Sequence, residues 1–148
     1  MAVWLHVDPT GGVARRATVI RGARAKAEHV LVLDAGNSLL VDDEGPDSTP
    51  GVISAAVMAQ LGDAAVALLR AESSFALLSA NAYVTGSSEL AAAPYALIEL
   101  GERRIAVIGL TDVRDTPGWA MRDPLPAVKA LMRQLRREAD VIILLSHA

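Results

Sequence analysis

The sequence predicts an α/β fold: a mostly parallel sheet with an antiparallel hairpin and flanking helices. Three observations predict it. Val30–Leu33 is an unbroken branched-aliphatic run stopped by Asp34-Ala35-Gly36-Asn37, the pattern of a strand buried on both faces of a parallel sheet. Strand-like stretches alternate with amphipathic ones, the order that builds right-handed parallel units. Tyr95–Leu100 and Arg104–Leu110 flank Gly101-Glu102, a two-residue hairpin signal.

The chain's 148 residues suit one domain, 1–148, with a real core. Just over half the residues are hydrophobic and only 3% are aromatic, so that core is built of Val, Leu, Ile and Ala. The net charge is −3 with scattered basic residues, which argues against a nucleic-acid footprint. There is no cysteine, which excludes disulfides, a thiol nucleophile and thiolate metal sites. No apolar run approaches the roughly 20 residues that span a bilayer. With no basic leader ahead of the first strand, the chain reads as soluble and cytoplasmic.

Taken in order, Ala2–Val7 is a first strand and Asp8–Gly12 a tight turn. Val13–Lys26 carries apolar residues at Val13, Ala17, Ile20 and Ala23, which predicts an amphipathic helix that Gly22 weakens slightly. His29–Asp34 is the second strand. Polar residues at the carboxyl end of such a strand lie where open α/β sheets bind ligands, so the tip Asp34–Asn37 is expected at or beside a site. Ser38–Thr49 is a polar loop, and Pro50 marks a helix start with Val52, Ile53, Ala56, Val57 and Leu61 as its apolar face. Asp63–Glu72 reads as helix from its Ala, Leu and Arg content, although Val66–Leu69 also suits a strand. Phe75–Ala80 is a third strand ending at Asn81. Thr111–Asp123 is an irregular loop. Pro124–Glu138 is a helix with Val128, Leu131, Met132 and Leu135 inward, and Asp140–Ser146 is a last buried strand.

The order of these pieces resembles the N-terminal catalytic domain of the 5′-nucleotidases, in the calcineurin-like metallophosphoesterase superfamily. The resemblance is carried by Gly11–Arg24, Val30–Asn37, Ala65–Leu68, Leu77–Tyr83, Pro94–Asp112 and Ala139–Ala148, together nearly the whole chain. It implies half of a four-layer α-β-β-α sandwich, and a site in which two divalent metals activate water and clamp a phosphate.

The ligand positions depart from that pattern. Where the family reads Asp-x-His-Gly, this chain reads Asp8-Pro9-Thr10-Gly11. Where the family has a bridging Gly-Asp, this chain has Gly36-Asn37. A neutral amide does not hold two hard dications as a carboxylate does. Arg70 and Ala71 stand at the positions of the family's Asn ligand and catalytic His. The Ser-His position survives as Ser146-His147, and the last Gly-His-x-His would lie beyond Ala148. Only about five residues separate Ala65–Leu68 from the next strand, against the roughly twelve a parallel crossover needs. This favours helix for Asp63–Glu72 and the loss of one family strand.

Plainer readings stand beside the functional ones. Asp8 is a relic ligand or the cap of the helix that follows. Asn37 binds a ligand or only closes a turn. His147 is a relic rather than a working base, and His6 and His29 are structural. Asn81 bonds loop backbone. Asp42–Asp47 is solvated surface. Thr10-Gly11-Gly12 ahead of a helix, with Arg15 and Arg16 one turn on, offers backbone N–H groups and cations to a phosphate or nucleotide.

The resemblance to half a sandwich implies an uncovered apolar sheet face, which marks an association site, and a homodimer stacked through it. The leading expectation is a catalytically degenerate relative acting as a binding or assembly module, with no catalytic residue and no cofactor. The alternative is a metal-dependent phosphoesterase of phosphomonoesters, its manganese or zinc held by Asp8, Asn37 and His147 and completed across a dimer.

Overall fold

The computed structural model describes residues 13–35, 65–67, 76–111 and 118–147. The chain divides into two compact units, Met1–Val30 and Leu31–Ala148.

The first unit contains α1, Val13–Arg24. The helix stops two residues short of the expected Lys26. Ala25 N–H and Ala27 N–H donate to the Arg21 and Ala23 carbonyls (3.0 and 3.1 Å) and close its last turn. Arg21 and Arg24 sit in that turn, where cations complement the helix dipole. Ile20 is buried, while Val19 is 72% exposed. The expected first strand and the turn Asp8–Gly12 lie outside the described residues.

The second unit holds the strands β1 (Leu33–Asp34), β2 (Ala65–Ala67), β3 (Ala76–Leu78), β4 (Ala82–Val84), β5 (Tyr95–Leu100), β6 (Arg103–Thr111), β7 (Trp119–Met121) and β8 (Val141–His147), and the helix α2 (Pro124–Leu135). One sheet is β1-β2-β3, all parallel. A second is β5-β6-β8, with β5-β6 an antiparallel hairpin and β6-β8 parallel. A short antiparallel ribbon joins β4 to β7.

β6 organises the unit. Its segment Ile105–Gly109 carries no charge and is buried throughout. Alternation sends its side chains to opposite faces. Ile105 and Val107 pack with Leu78 and Leu145, and with Leu31, Leu33 and Ala76 from the first sheet's side. Ala106 and Ile108 pack with Ala80 and Leu135, beside Leu131 and Met132 of α2. The layers are thus α2, then β5-β6-β8, then β1-β2-β3. Gly109 lies where the sheets come closest: a β-carbon there would meet Leu78, 2.5 Å from both its carbonyl carbon and its Cβ. After β3 the chain crosses to the second sheet, with Ser79 N–H donating to the Ala93 carbonyl and Ala80 N–H to the Gly109 carbonyl (both 2.8 Å).

The hairpin forms as expected. Gly101 turns it with φ +61°, a conformation that favours glycine. Glu99 and Arg104 face each other across the strands and pair at 2.7 Å. At the start of α2, the Asp123 carboxylate accepts the Leu125 N–H, and Pro124 takes the first turn.

Several expectations are corrected. Ala65–Ala67 of the supposed helix Asp63–Glu72 is strand β2, so no family strand is lost there. Pairing along both edges, to β1 and β3, outweighs the helix propensity of Ala and Leu. The link from β2 to β3, residues 68–75, lies outside the described residues. β1 is confined to Leu33–Asp34, and Val30–Leu33 is only half-buried. β8 is not buried on both faces: Val141 and Leu144 are 45% and 49% exposed. The irregular loop Thr111–Asp123 contains β7, which gains its partner only through β4. Both faces of β6 are covered within the chain.

Candidate functional site

The carboxyl ends of the parallel strands are where an α/β sheet collects its ligand-facing loops. Here those ends carry Asp34 on β1, Ser79-Ala80-Asn81 after β3, Thr111 on β6 and His147 on β8. Thr111 and His147 are partners in the parallel β6-β8 ladder, so they stand side by side at the same edge. Asp34 is buried.

The centre of this edge is Asn81, only 1% exposed. Its side-chain amide donates to the Thr111 carbonyl (2.8 Å) and the Arg122 carbonyl (3.1 Å). Its side-chain oxygen accepts the Thr111 N–H (2.9 Å) and the Ser79 hydroxyl (3.4 Å). Its own carbonyl accepts the Arg122 N–H (2.9 Å). Ser79 Oγ in turn accepts from Thr111 Oγ1 (2.8 Å) and the Ala82 N–H (3.2 Å). One asparagine thus ties together the end of β3, the end of β6 and the start of α2. Every donor and acceptor of its side chain is used, as burial demands.

Arg122 extends the edge outward. Its guanidinium lies 3.8 Å over the centre of the Tyr83 ring and donates from Nη2 to the Ser87 carbonyl at 3.1 Å. Tyr83 pairs with Ala120 in the β4-β7 ribbon. Arg122, two residues on, reaches it as a diagonal cross-strand neighbour.

At the other end of the sheet, away from these strand ends, Arg104 N–H donates to the Asp140 carboxylate at 2.8 Å. That bond, with Arg103 nearby at 3.6 Å, holds Asp140 below the usual carboxylate range.

Of the residues singled out in the sequence, Asp8, Thr10, Gly11, Gly12 and Asn37 lie outside the described residues. Arg15 is exposed on α1. His147 ends β8 opposite Thr111. Asn81 bonds loop backbone as expected. Thr111, Ser79, Tyr83 and Arg122 were not foreseen. The Ser-x-Asn spacing after a strand was the available signal for Ser79, whereas the Arg122–Tyr83 stack depends on a ribbon that local patterning does not reveal. Among the described residues, no three His, Asp or Glu side chains gather closely enough to hold a metal ion.

No family model matches the chain. A snake venom 5′-nucleotidase of Gloydius brevicauda is 32% identical over 155 residues, covering 90% of this chain and 26% of the relative. The structure of a 5′-nucleotidase precursor from Thermus thermophilus superposes with a TM-score of 0.73 at 28% identity, over 93% of this chain and 31% of that one. The NAD nucleotidase of Haemophilus influenzae, 23% identical, shares the fold with a TM-score of 0.70 over 93% of this chain and 32% of that one. The chain spans about a quarter of the length of the curated relatives it matches.

Proposed function

We propose that this chain, which is similar to the N-terminal domain of 5′-nucleotidases, is a catalytically degenerate member of the 5′-nucleotidase-type metallophosphoesterases acting as a binding module for a phosphate or nucleotide, and as an assembly module. The observation that carries this reading is the donor chemistry at the strand ends. Ser79, Asn81 and Thr111 are neutral and hydrogen-bonded to one another, and Asn37 stands where the family has a bridging carboxylate. A pair of hard dications needs anionic oxygen between them, which the neutral amide of Asn37 does not supply. The donors of that network are spent on one another, so anion binding without hydrolysis falls to the exposed cation at the same edge, Arg122.

The assembly part of the proposal is a homodimer. Both faces of β6 are covered within the chain, so a second copy would pack on exposed apolar side chains at the sheet's margins, of which Leu97 of β5 and Leu144 of β8 lie on the same face as α2. Light scattering at micromolar concentration tests it, and a monomer there removes it.

The competing reading is a phosphoesterase with metal on Asp8, Asn37 and His147. It is favoured by the surviving Ser146-His147 at the end of β8. Metal content after manganese loading and desalting, with a phosphatase assay on the same sample, separates the two. The degenerate reading expects no retained metal and no turnover. One or two equivalents with chelator-sensitive turnover overturns it.

A further inference from the structure

We propose that the Arg122 guanidinium, stacked on Tyr83, is the anion-recognising group at these strand ends and takes the phosphate of a phosphomonoester. The proposal rests on the binding reading above and names the residue that carries it.

Three observations lead to it. The first is rigidity. Arg122 is held by its N–H to the Asn81 carbonyl (2.9 Å), by its carbonyl to the Asn81 amide (3.1 Å) and by its ring contact at 3.8 Å. A long side chain ordinarily loses rotamer freedom when it captures a ligand; this one has already been ordered by the fold, which lowers the cost of binding.

The second is uncompensated charge. Arg103 and Arg104 each pair with a carboxylate, Asp140 and Glu99 respectively. Among the described residues no carboxylate pairs with Arg122. The neighbouring Asp123 turns its carboxylate to the Leu125 N–H as the cap of α2. One Arg122 nitrogen donates to Ser87, and among the described residues no other acceptor takes the remaining guanidinium N–H groups. Their planar fork matches phosphate oxygens two at a time.

The third is place. Asn81 joins Arg122 directly to Thr111, and Thr111 is the ladder partner of His147. The Arg122 backbone therefore stands beside the end of β6, and its guanidinium reaches outward from that edge over Tyr83 to Ser87.

Calorimetric titration of the whole chain with AMP, inorganic phosphate and adenosine tests the proposal. Both phosphates are expected to bind and adenosine is not. Arg122→Ala is expected to weaken phosphate binding at least tenfold, Arg122→Lys severalfold, and Arg133→Ala, at an exposed position of α2, not at all. A titration of the Arg122 Nε–H resonance with inorganic phosphate gives a readout that needs no variant, and it is expected to shift with the same affinity. Binding that is unchanged in Arg122→Ala, with a silent resonance, overturns the proposal and leaves the binding reading standing. Adenosine binding as tightly as AMP overturns it too, since the base rather than the anion would then be recognised. Absence of phosphate binding in the unaltered chain removes both the proposal and the reading beneath it.

Discussion

Asn81 and Thr111 hold each other from both sides. The asparagine amide donates to the threonine carbonyl at 2.8 Å while the threonine N–H donates to the asparagine oxygen at 2.9 Å. A side chain here copies a backbone pairing and joins residues thirty apart in sequence. Asn81→Asp keeps the shape but turns the two N–H donors into an oxygen that faces the Thr111 and Arg122 carbonyls. Leaving buried acceptors without donors costs about 1–3 kcal/mol each, so the variant is expected to lose about 3 kcal/mol in urea unfolding. A loss of less than about 1 kcal/mol would mean that Asn81 is not the centre of the network.

Which parts of this arrangement could be read in the chain beforehand follows from the range of the forces involved. The hairpin at Gly101-Glu102 and the start of α2 at Pro124 are decided within a few residues, and both stand where the sequence puts them. β2 and the β4-β7 ribbon are decided by partners far along the chain. Ala65–Ala67 has helix-forming composition and becomes a strand only because β1 and β3 flank it. Trp119–Met121 has no strand pattern of its own and depends on Ala82–Val84. At the site, Asn81 was visible as a strand-end residue, but its partners Thr111 and Arg122 were not, because nothing local links them to it.

Gly109 and Gly22 make opposite predictions for the same substitution. A β-carbon on Gly109 would run into the Leu78 backbone at the junction of the two sheets. Backbone cannot swing aside as a side-chain end can, so Gly109→Ala is expected to cost about 3 kcal/mol or more. Gly22 lies inside α1 with nothing within 4 Å of the added carbon. Gly22→Ala is expected to stabilise that helix by roughly 0.5–1 kcal/mol. Circular dichroism and thermal melts of both variants check the contrast, and destabilisation by Gly22→Ala would remove the second half.

Leu135 anchors α2 to the second sheet. It is fully buried among Ala80, Ala106 and Ile108. Leu135→Ala leaves a cavity between helix and sheet and is expected to cost about 2–5 kcal/mol. Leu125, at the other end of the same helix, is 60% exposed, and Leu125→Ala is expected to change stability by less than about 0.5 kcal/mol. Urea midpoints measure both, and similar losses would mean that α2 docks by another face.

Asp140 links stability to acid. The Arg104 N–H is the main cause that lowers its pKa, and the Arg103 charge adds to it. A carboxyl depressed in the folded state is ionised there in acid that protonates it in the unfolded chain. Its contribution is therefore complete above the unfolded value of about 3.9 and is lost as pH falls through the lower folded value. The side chain is 42% exposed, so solvent screening keeps the effect small. Asp140→Asn retains an oxygen for the Arg104 N–H but has no charge to titrate. Its melting temperature is expected to lie below that of the unaltered chain near neutral pH, with the two curves converging below about pH 3.9 as Asp140 becomes protonated. Melts taken across that range decide it: a constant gap at every pH would mean that the substitution acts through geometry alone.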